Sequence, residues 1–224
     1  MEKEMKTVKN LLDNNEFNLR DFNVGDISWY SPFEYKDLIN KNIKTGIEIG
    51  SHLGESANDI IKSFKQLNLI CIDVWDLSLF KDDGYDIPNI DNVYEQFLSN
   101  IVHYGIDDRI VPIKMSSEDA SKIINDKFDF CYIDGIHNEE NIYLDLINWY
   151  PKLKDDGFIC GDDWLFNNVN PGEWFKYTSV EEHTVDFENE WEGSVRRGLK
   201  RFAKENKLKL YSKYNFWWME KNGL

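Results

Sequence analysis

The stretch Thr45-Gly-Ile-Glu-Ile-Gly-Ser-His-Leu-Gly-Glu-Ser56 constrains the fold of this chain more than any other. A short isoleucine-rich run closes on Glu48, two glycines follow, and helical spacing of apolar residues begins beyond them. That order reads as a buried strand, a tight turn and a helix start. Gly50 and Gly54 carry no side chain to block a close backbone approach, and Ser51 and Ser56 are of the type that caps a helix N-terminus. In a doubly wound sheet such a corner faces the ligand. A dinucleotide fingerprint spells G-x-G-x-x-G, whereas this turn spells E-x-G-x-x-x-G with an acid at the strand end. An acid there suits a cationic ligand.

From Ile43 onward strand and helix patterns alternate. Strands are expected at 45–49, 69–73, 110–113, 128–133 and 157–161, and helices at 55–66, about 91–104, 117–125, 138–149 and 194–206. Two further strands, Leu208 to Tyr211 and Asn215 to Met219, close the chain in hairpin order. Alternation of this kind implies a mostly parallel sheet covered on both faces. The expected class is therefore α/β: a Rossmann-like, doubly wound, seven-stranded sheet with an antiparallel C-terminal hairpin. Residues 1–42 mix charge with Leu11, Leu12, Phe17, Phe22, Trp29 and Phe33, which suggests an N-terminal helical cap on a domain spanning 43–224. Two loops, about 76–90 and 164–193, exceed the roughly two to six residues usual in such units. Both leave the carboxyl ends of strands, so they are expected to form a substrate lid.

Acidic residues recur at those same strand ends. Ile70-Cys-Ile-Asp-Val-Trp75 ends in Asp73, placed to accept hydrogen bonds from ribose hydroxyls, and Trp75 either flanks an adenine or covers the core. Met115-Ser-Ser-Glu118 follows the third strand, with Ser117 a candidate N-cap. Phe128-Asp-Phe-Cys-Tyr-Ile-Asp-Gly-Ile-His137 and Lys154-Asp-Asp-Gly-Phe-Ile-Cys-Gly-Asp-Asp-Trp164 put Asp134, Asp162 and Asp163 at the ends of two neighbouring strands. Three carboxylates at one point repel unless a cation sits between them. Hard oxygen ligands with no thiol pair nearby favour Mg²⁺, Mn²⁺ or Ca²⁺ over Zn²⁺. His137, just past Asp134, either works at the ligand or caps the helix that follows.

These motifs together resemble the class I S-adenosylmethionine-dependent methyltransferases over roughly residues 43 to 220. The nearest likeness is the group with I-D-G-x-H and D-D-aromatic signatures, similar to metal-dependent O-methyltransferases of the catechol and macrolide-sugar types. The resemblance implies S-adenosyl-L-methionine as methyl donor, bound by Glu48, Gly50, Ser51, Gly54, Ser56, Asp73, Trp75, Ser116, Ser117 and Asp134. It implies Mg²⁺ (or Mn²⁺/Ca²⁺) held by Asp134, Asp162 and Asp163. Catalysis falls to Asp134 and His137, the latter as a base, since a neutral imidazole is available near pH 7. The implied acceptor is a hydroxyl of a small molecule: a sugar, a natural product or a phenol. The N-P-P-Y of amine-directed enzymes is missing after the fourth strand. A homodimer is common in such relatives, although no interface is legible here. Arg196 and Arg197 stand at a helix start, where cations oppose the dipole; a carboxylate or phosphate ligand, or a salt bridge to neighbouring acids, accounts for them. The rival readings are a hydroxylase-like tailoring enzyme on the same scaffold and a non-catalytic cofactor-binding subunit. A dinucleotide oxidoreductase is disfavoured by the missing G-x-G-x-x-G.

Charge removes other classes. With 26 Lys and Arg against 41 Asp and Glu, the formal net charge of −15 is the reverse of what gripping nucleic acid or an anionic membrane requires. The first residues lack an apolar segment, and no run approaches the ~18 apolar residues of a membrane span. Cys71, Cys131 and Cys160 lie inside apolar strand runs without C-x-x-C spacing, so they are expected to be buried, reduced thiols. Those features fit a soluble, cytoplasmic protein.

Overall fold

The computed structural model describes residues 5–25, 42–76, 78, 90–165, 179–183 and 194–221. The two expected lids lie mostly outside the described residues, as do Trp29 and Phe33 of the expected cap. The chain divides into two compact units, Met1–Ser116 and Ser117–Leu224, so the division falls inside the stretch expected to be one domain. Six α-helices and eight strands occur among the described residues. No helix among them is long and apolar enough to cross a membrane.

In the first unit, α1 (Val8–Asp13) begins at a capping box, where Thr7 and Asn10 exchange side-chain-to-backbone bonds. Then come β1 (Thr45–Ile49), α2 (Glu55–Ser63), β2 (Asn68–Asp73), α3 (Val93–Tyr104) and β3 (Ile110–Lys114). The strands pair in parallel in the order β3-β2-β1. Ile47, Leu69, Cys71 and Ile110 are fully buried, as a strand covered on both faces demands. Asn92 caps α3 by accepting from Glu95 N, and Gly105 ends it in the left-handed region. Helix α2 stops at Ser63, short of the expected 66. Phe64 leaves helical geometry (φ −119°, ψ 88°) and is buried, turning the chain into β2.

The second unit holds α4 (Ser117–Ile123), β4 (Phe128–Ile133), α5 (Glu139–Trp149), a 3₁₀ turn over Tyr150–Lys152, and β5 (Leu153–Gly161). Beyond these lie β6 (Glu181–His183), α6 (Val195–Asn206), β7 (Leu210–Lys213) and β8 (Phe216–Glu220). Strand order is β4-β5-β8-β7-β6, with β4 and β5 parallel and the remaining pairs antiparallel. The chain is thus the mostly parallel, Rossmann-like α/β fold with an antiparallel C-terminal hairpin that the alternation implied. An eighth strand, the short, largely exposed β6, lies within the stretch read as the 164–193 loop. Strand β5 also starts earlier than expected. Phe128 pairs with Leu153 but Phe130 pairs with Phe158, so the turn-like residues 154–157 are accommodated by a register shift, across which Lys154 reaches Asp129 at 2.7 Å. All three cysteines are free and buried.

Candidate functional site

In the first unit β1 delivers Glu48 to a position with no solvent exposure. The Cys71 thiol on β2 donates to Glu48 Oε2 at 3.4 Å. Burial first, and then the Glu48 charge, push that thiol well above its ordinary range, so Cys71 is no nucleophile. After Ile49 the backbone enters the left-handed region three times, at Gly50 (φ 84°), His52 (φ 41°) and Gly54 (φ 92°). A Cβ on Gly54 would lie 2.9 Å from Ile101 Cδ1 and 3.3 Å from Phe97 Cδ2. This glycine therefore meets both a torsional and a packing requirement.

Asp73 organises the turn. Its Oδ2 accepts from His52 N at 2.9 Å and its Oδ1 from Trp75 N at 2.7 Å, while Trp75 Nε1 donates to His52 O at 2.7 Å. The end of β2 is thereby laced to the glycine turn, and a carboxylate has further lone pairs for a ligand's hydroxyls. Of its two expected roles Trp75 shows the packing one: it is buried and meets the Tyr94 and Phe97 rings at 4.9 and 4.7 Å. Met115 N donates to Asp73 O at 3.0 Å, which sets the start of the Ser116 turn beside the same acid. Neither Ser51 nor Ser56 caps α2. Its N-cap is Gly54, with no side-chain bond, because the left-handed turn is completed by Gly54 N donating to Ser51 O at 2.8 Å. Burial holds the His52 imidazole down at about 4, so it is neutral at pH 7.

Ser117 does not cap α4 as expected. It is the helix's first residue, and its hydroxyl donates to Asp145 while accepting from Trp149 Nε1 at 2.8 Å. Asp145 is 9% exposed, and burial, only partly offset by the Ser117 bond, raises its carboxyl to about 6.

The second unit carries the acidic cluster. Asp134 follows β4, Asp162 and Asp163 follow β5, and the two strand ends approach so closely that a Cβ on Gly161 would lie 2.2 Å from Ile133 O and 2.7 Å from the Trp217 ring. Asp163 takes a left-handed φ of 65°, costly for a non-glycine residue. Outside supports hold it there. Trp217 Nε1 donates to Asp162 O at 2.8 Å, Trp164 N to Asn215 O at 2.9 Å and Leu165 N to Asn215 Oδ1 at 2.8 Å.

His137 Nε2 lies 2.9 Å from Asp163 Oδ2 and 3.5 Å from Asp134 Oδ1. The ligand atoms that converge belong to Asp134, His137 and Asp163, all within 4.8 Å of one another. Asp162 lines the same concavity, with Ile136, Ile142 and Val195 as apolar wall, but is not in that convergent set. Its Oδ1 is buried with no hydrogen-bond partner among the described residues. Burial, then the charges of Asp163 and Asp134, raise the Asp162 carboxyl well above its usual range. Burial likewise raises Asp134, with Asp163 adding to the effect against the His137 hydrogen bond. For His137, burial opposes the charged ring, but the bonds and charges of Asp134 and Asp163 together outweigh it and carry the imidazole up to about 11. The neutral imidazole expected near pH 7 is therefore not the form this geometry favours. Nor does His137 cap its helix; Asn138 does, accepting from Asn141 N at 3.0 Å.

The two arginines are engaged locally. Arg197 Nε pairs with Glu139 at 3.2 Å, and the Arg196 guanidinium lies 4.5 Å over the Trp164 ring. Gly198 brings α6 onto α5, where a Cβ would sit 2.4 Å from Ile142 Cγ2. Sequence reasoning missed Asn215, Trp217 and the backbone role of His52, because each acts on a main-chain group that only the folded chain brings near.

A protein-family profile described as "Methyltransferase domain" matches residues 47–164, more than half of the chain. The chain belongs to this methyltransferase-domain family, among the class I S-adenosylmethionine-dependent methyltransferases. No curated protein sequence matches it significantly. Among solved structures it is similar to an O-methyltransferase from Bacillus cereus in complex with SAH, at 16% identity and TM-score 0.54, covering 98% of this chain and 92% of that one. It is also similar to TomG, an O-methyltransferase of tomaymycin synthesis from Streptomyces achromogenes in complex with SAM, at 14% identity and TM-score 0.57, covering 99% and 92%. At such identities the likeness shows the shared fold.

Proposed function

We propose that this protein is a divalent-metal-dependent O-methyltransferase that moves the methyl group of S-adenosylmethionine to a hydroxyl of a small molecule. The observation that carries the reading is the convergence of Asp134, His137 and Asp163 in a concavity walled by Ile136, Ile142 and Val195. It joins two acids, an imidazole between them and an apolar seat for a carbon skeleton. The relatives whose structures hold SAM or SAH and are described as O-methyltransferases support the donor and the acceptor atom.

In this reading the donor is held by Glu48, Gly50, Ser51, Gly54, Ser56, Asp73 and Ser116 of the first unit. Buried Glu48 offers negative charge to a cationic ligand, and the Asp73 carboxylate, already fixed by two backbone amides, offers its other lone pairs to ribose hydroxyls. The oxygen-rich set of Asp134 and Asp163, with the buried Oδ1 of Asp162 beside it, fits a hard cation such as Mg²⁺ or Mn²⁺. Held by Asp134 and Asp163, such an ion would supply the positive charge that the His137 proton supplies without it, and would favour loss of the proton from a nearby hydroxyl. His137 then accepts the hydroxyl proton at Nε2. The acceptor oxygen forms the new C–O bond as the donor's C–S bond breaks, leaving a methyl ether and S-adenosylhomocysteine. The chain's contribution is alignment and electrostatics.

Calorimetric titration of the full chain with S-adenosylmethionine, with Mg²⁺ and with chelator, tests the donor. Methyl transfer to a panel of hydroxylated sugars and phenols tests the rest. Donor binding under both conditions and transfer only with metal is expected. Asp134→Asn and Asp163→Asn should abolish transfer while leaving donor affinity within about tenfold, or ~1.4 kcal/mol. An absence of donor binding overturns the function; transfer undiminished by chelator overturns the metal.

A further inference from the structure

Helix α3 carries a polar stripe inside the first unit: Glu95, Gln96, Ser99, Asn100 and His103, at the three- and four-residue spacing of a single helix face. Gln96, Ser99 and Asn100 are buried, the last two with no exposure at all. Burying such groups is costly unless each is bonded, and here they bond backbone from two other parts of the unit. Arg20 N donates to Ser99 Oγ at 2.9 Å, Gln96 Nε2 to Asp21 O at 2.8 Å, and His103 Nε2 sits 2.8 Å from Arg20 O. The Arg20 guanidinium grips Glu95 Oε2 at 2.8 Å and also meets Asp91. Residues 20–25 are thus strapped along α3.

Asn100 is where the strap meets the site. Its Oδ1 accepts from Asn23 N at 3.1 Å and from Gln96 Nε2 at 3.0 Å. Its Nδ2 donates to Asn23 O at 2.7 Å and to Leu53 O at 3.0 Å. All four capacities of the amide are used, and the last is spent on the glycine turn between two left-handed residues, His52 and Gly54. Asp73 and Trp75 hold the His52 peptide groups from one side, and Asn100 holds the next carbonyl from the other.

We propose that Asn100 is a positioning residue for the donor-binding turn, and that through it the segment of residues 20–25 is thermodynamically coupled to the donor. The proposal rests on the turn binding S-adenosylmethionine as described above. One amide side chain bonds both elements in one geometry, so ordering the turn around a ligand orders Asn100 and with it Asn23. By linkage, docking of the segment must tighten the ligand by the same factor that the ligand tightens docking.

The test uses the full chain and three proteins: the wild type, Asn100→Ala, and Arg20→Ala, which loosens the strap without touching the turn. Donor affinity is measured by calorimetry well below the melting temperature. Hydrogen exchange of the amides of residues 20–25 is followed with and without S-adenosylhomocysteine. Ligand should slow exchange at Arg20 and Asn23 in the wild type, and about a tenfold loss of donor affinity is expected in both variants, within the about 5- to 150-fold range of typical couplings. Asn100→Ala should also lose the ligand-dependent protection. A melting temperature that falls while affinity holds marks a merely structural role and overturns the proposal, as does wild-type exchange at 20–25 that is indifferent to ligand. If the wild type binds neither ligand, the donor reading itself fails and the coupling with it. If Asn100→Ala does not fold, Arg20→Ala and the wild-type exchange decide the matter alone.

Discussion

Removing the charge of Asp163 as Asp163→Asn keeps the shape of the side chain and an acceptor oxygen, and isolates what holds the proton on His137. In the native cluster that proton faces Asp163 at 2.9 Å and Asp134 at 3.5 Å, and the imidazole titrates at about 11 although burial alone would lower it. A hydrogen bond to a charged group contributes about 1.5–3 kcal/mol. About 1.36 kcal/mol moves a titration midpoint by one pH unit, so losing the nearer carboxylate should lower the midpoint by about one to two pH units. Asp134→Asn should do less, because its contact is longer. The double variant leaves burial as the main influence, and its midpoint should fall below 6.5. Imidazole ¹⁵N shifts measured from pH 5 to 12 with chelator present would read these midpoints directly. Because the folded-state value lies above the unfolded 6.5, the two ion pairs stabilise fully below about pH 6.5 and lose that contribution as pH rises toward 11. The stability gap between wild type and double variant should accordingly narrow from pH 6 to 10. A wild-type midpoint near 6.5, or a double variant that titrates like the wild type, would refute the electrostatic account. Saturating Mg²⁺ should lower the wild-type midpoint, since the ion and the proton compete for the same two carboxylates.

Other consequences are as open to measurement. Gly161→Ala puts a methyl 2.2 Å from Ile133 O, a backbone atom with little freedom to yield; a loss of about 1–3 kcal/mol is expected, near 2–4 °C of melting temperature per kcal/mol, and an unchanged transition would show that β4 and β5 are not so closely joined. Asn215→Ala strips support from Leu165 N and should reduce transfer while donor affinity stays native, because the Asn215 side chain accepts from the loop that follows Asp163; a fall in donor affinity instead would contradict that assignment. Asp145 has its folded value raised to about 6 from 3.8, so the fold binds its proton more tightly than the unfolded chain and stability at this site falls as pH rises from about 4 to 6. Asp145→Asn keeps an acceptor for Ser117 and should gain on the wild type by about 2–3 kcal/mol between pH 4 and 7; parallel stability curves for the two proteins would place the Asp145 carboxyl in water rather than in the core.

The sequence alone determined the alternation of elements, because strands buried on both faces and amphipathic helices leave distinct periods in the chain. β1 and β4 fall at the residues expected, and the acids near the strand ends, Glu48 in β1, Asp73 closing β2, Asp134 after β4 and Asp162 and Asp163 after β5, were legible from the strand-turn-helix grammar alone. The boundaries that moved are those where tertiary contact overrode local preference: Phe64 ends α2 by being buried, and the turn-like residues 154–157 are absorbed into β5 by its shifted pairing with β4. The helix caps expected at Ser51 or Ser56 and at Ser117 did not form, and of the two roles open to His137 the cap fell to Asn138, because composition supplies candidates and only backbone torsion chooses among them. Gly54, in the left-handed region, displaced the first; Asp145 and Trp149 drew the hydroxyl of the second away. The protonation of His137 was beyond the sequence altogether. It depends on Asp163 arriving from another strand end, in a torsion that Asn215 and Trp217 help to hold, and Coulomb energy follows distance in space rather than along the chain.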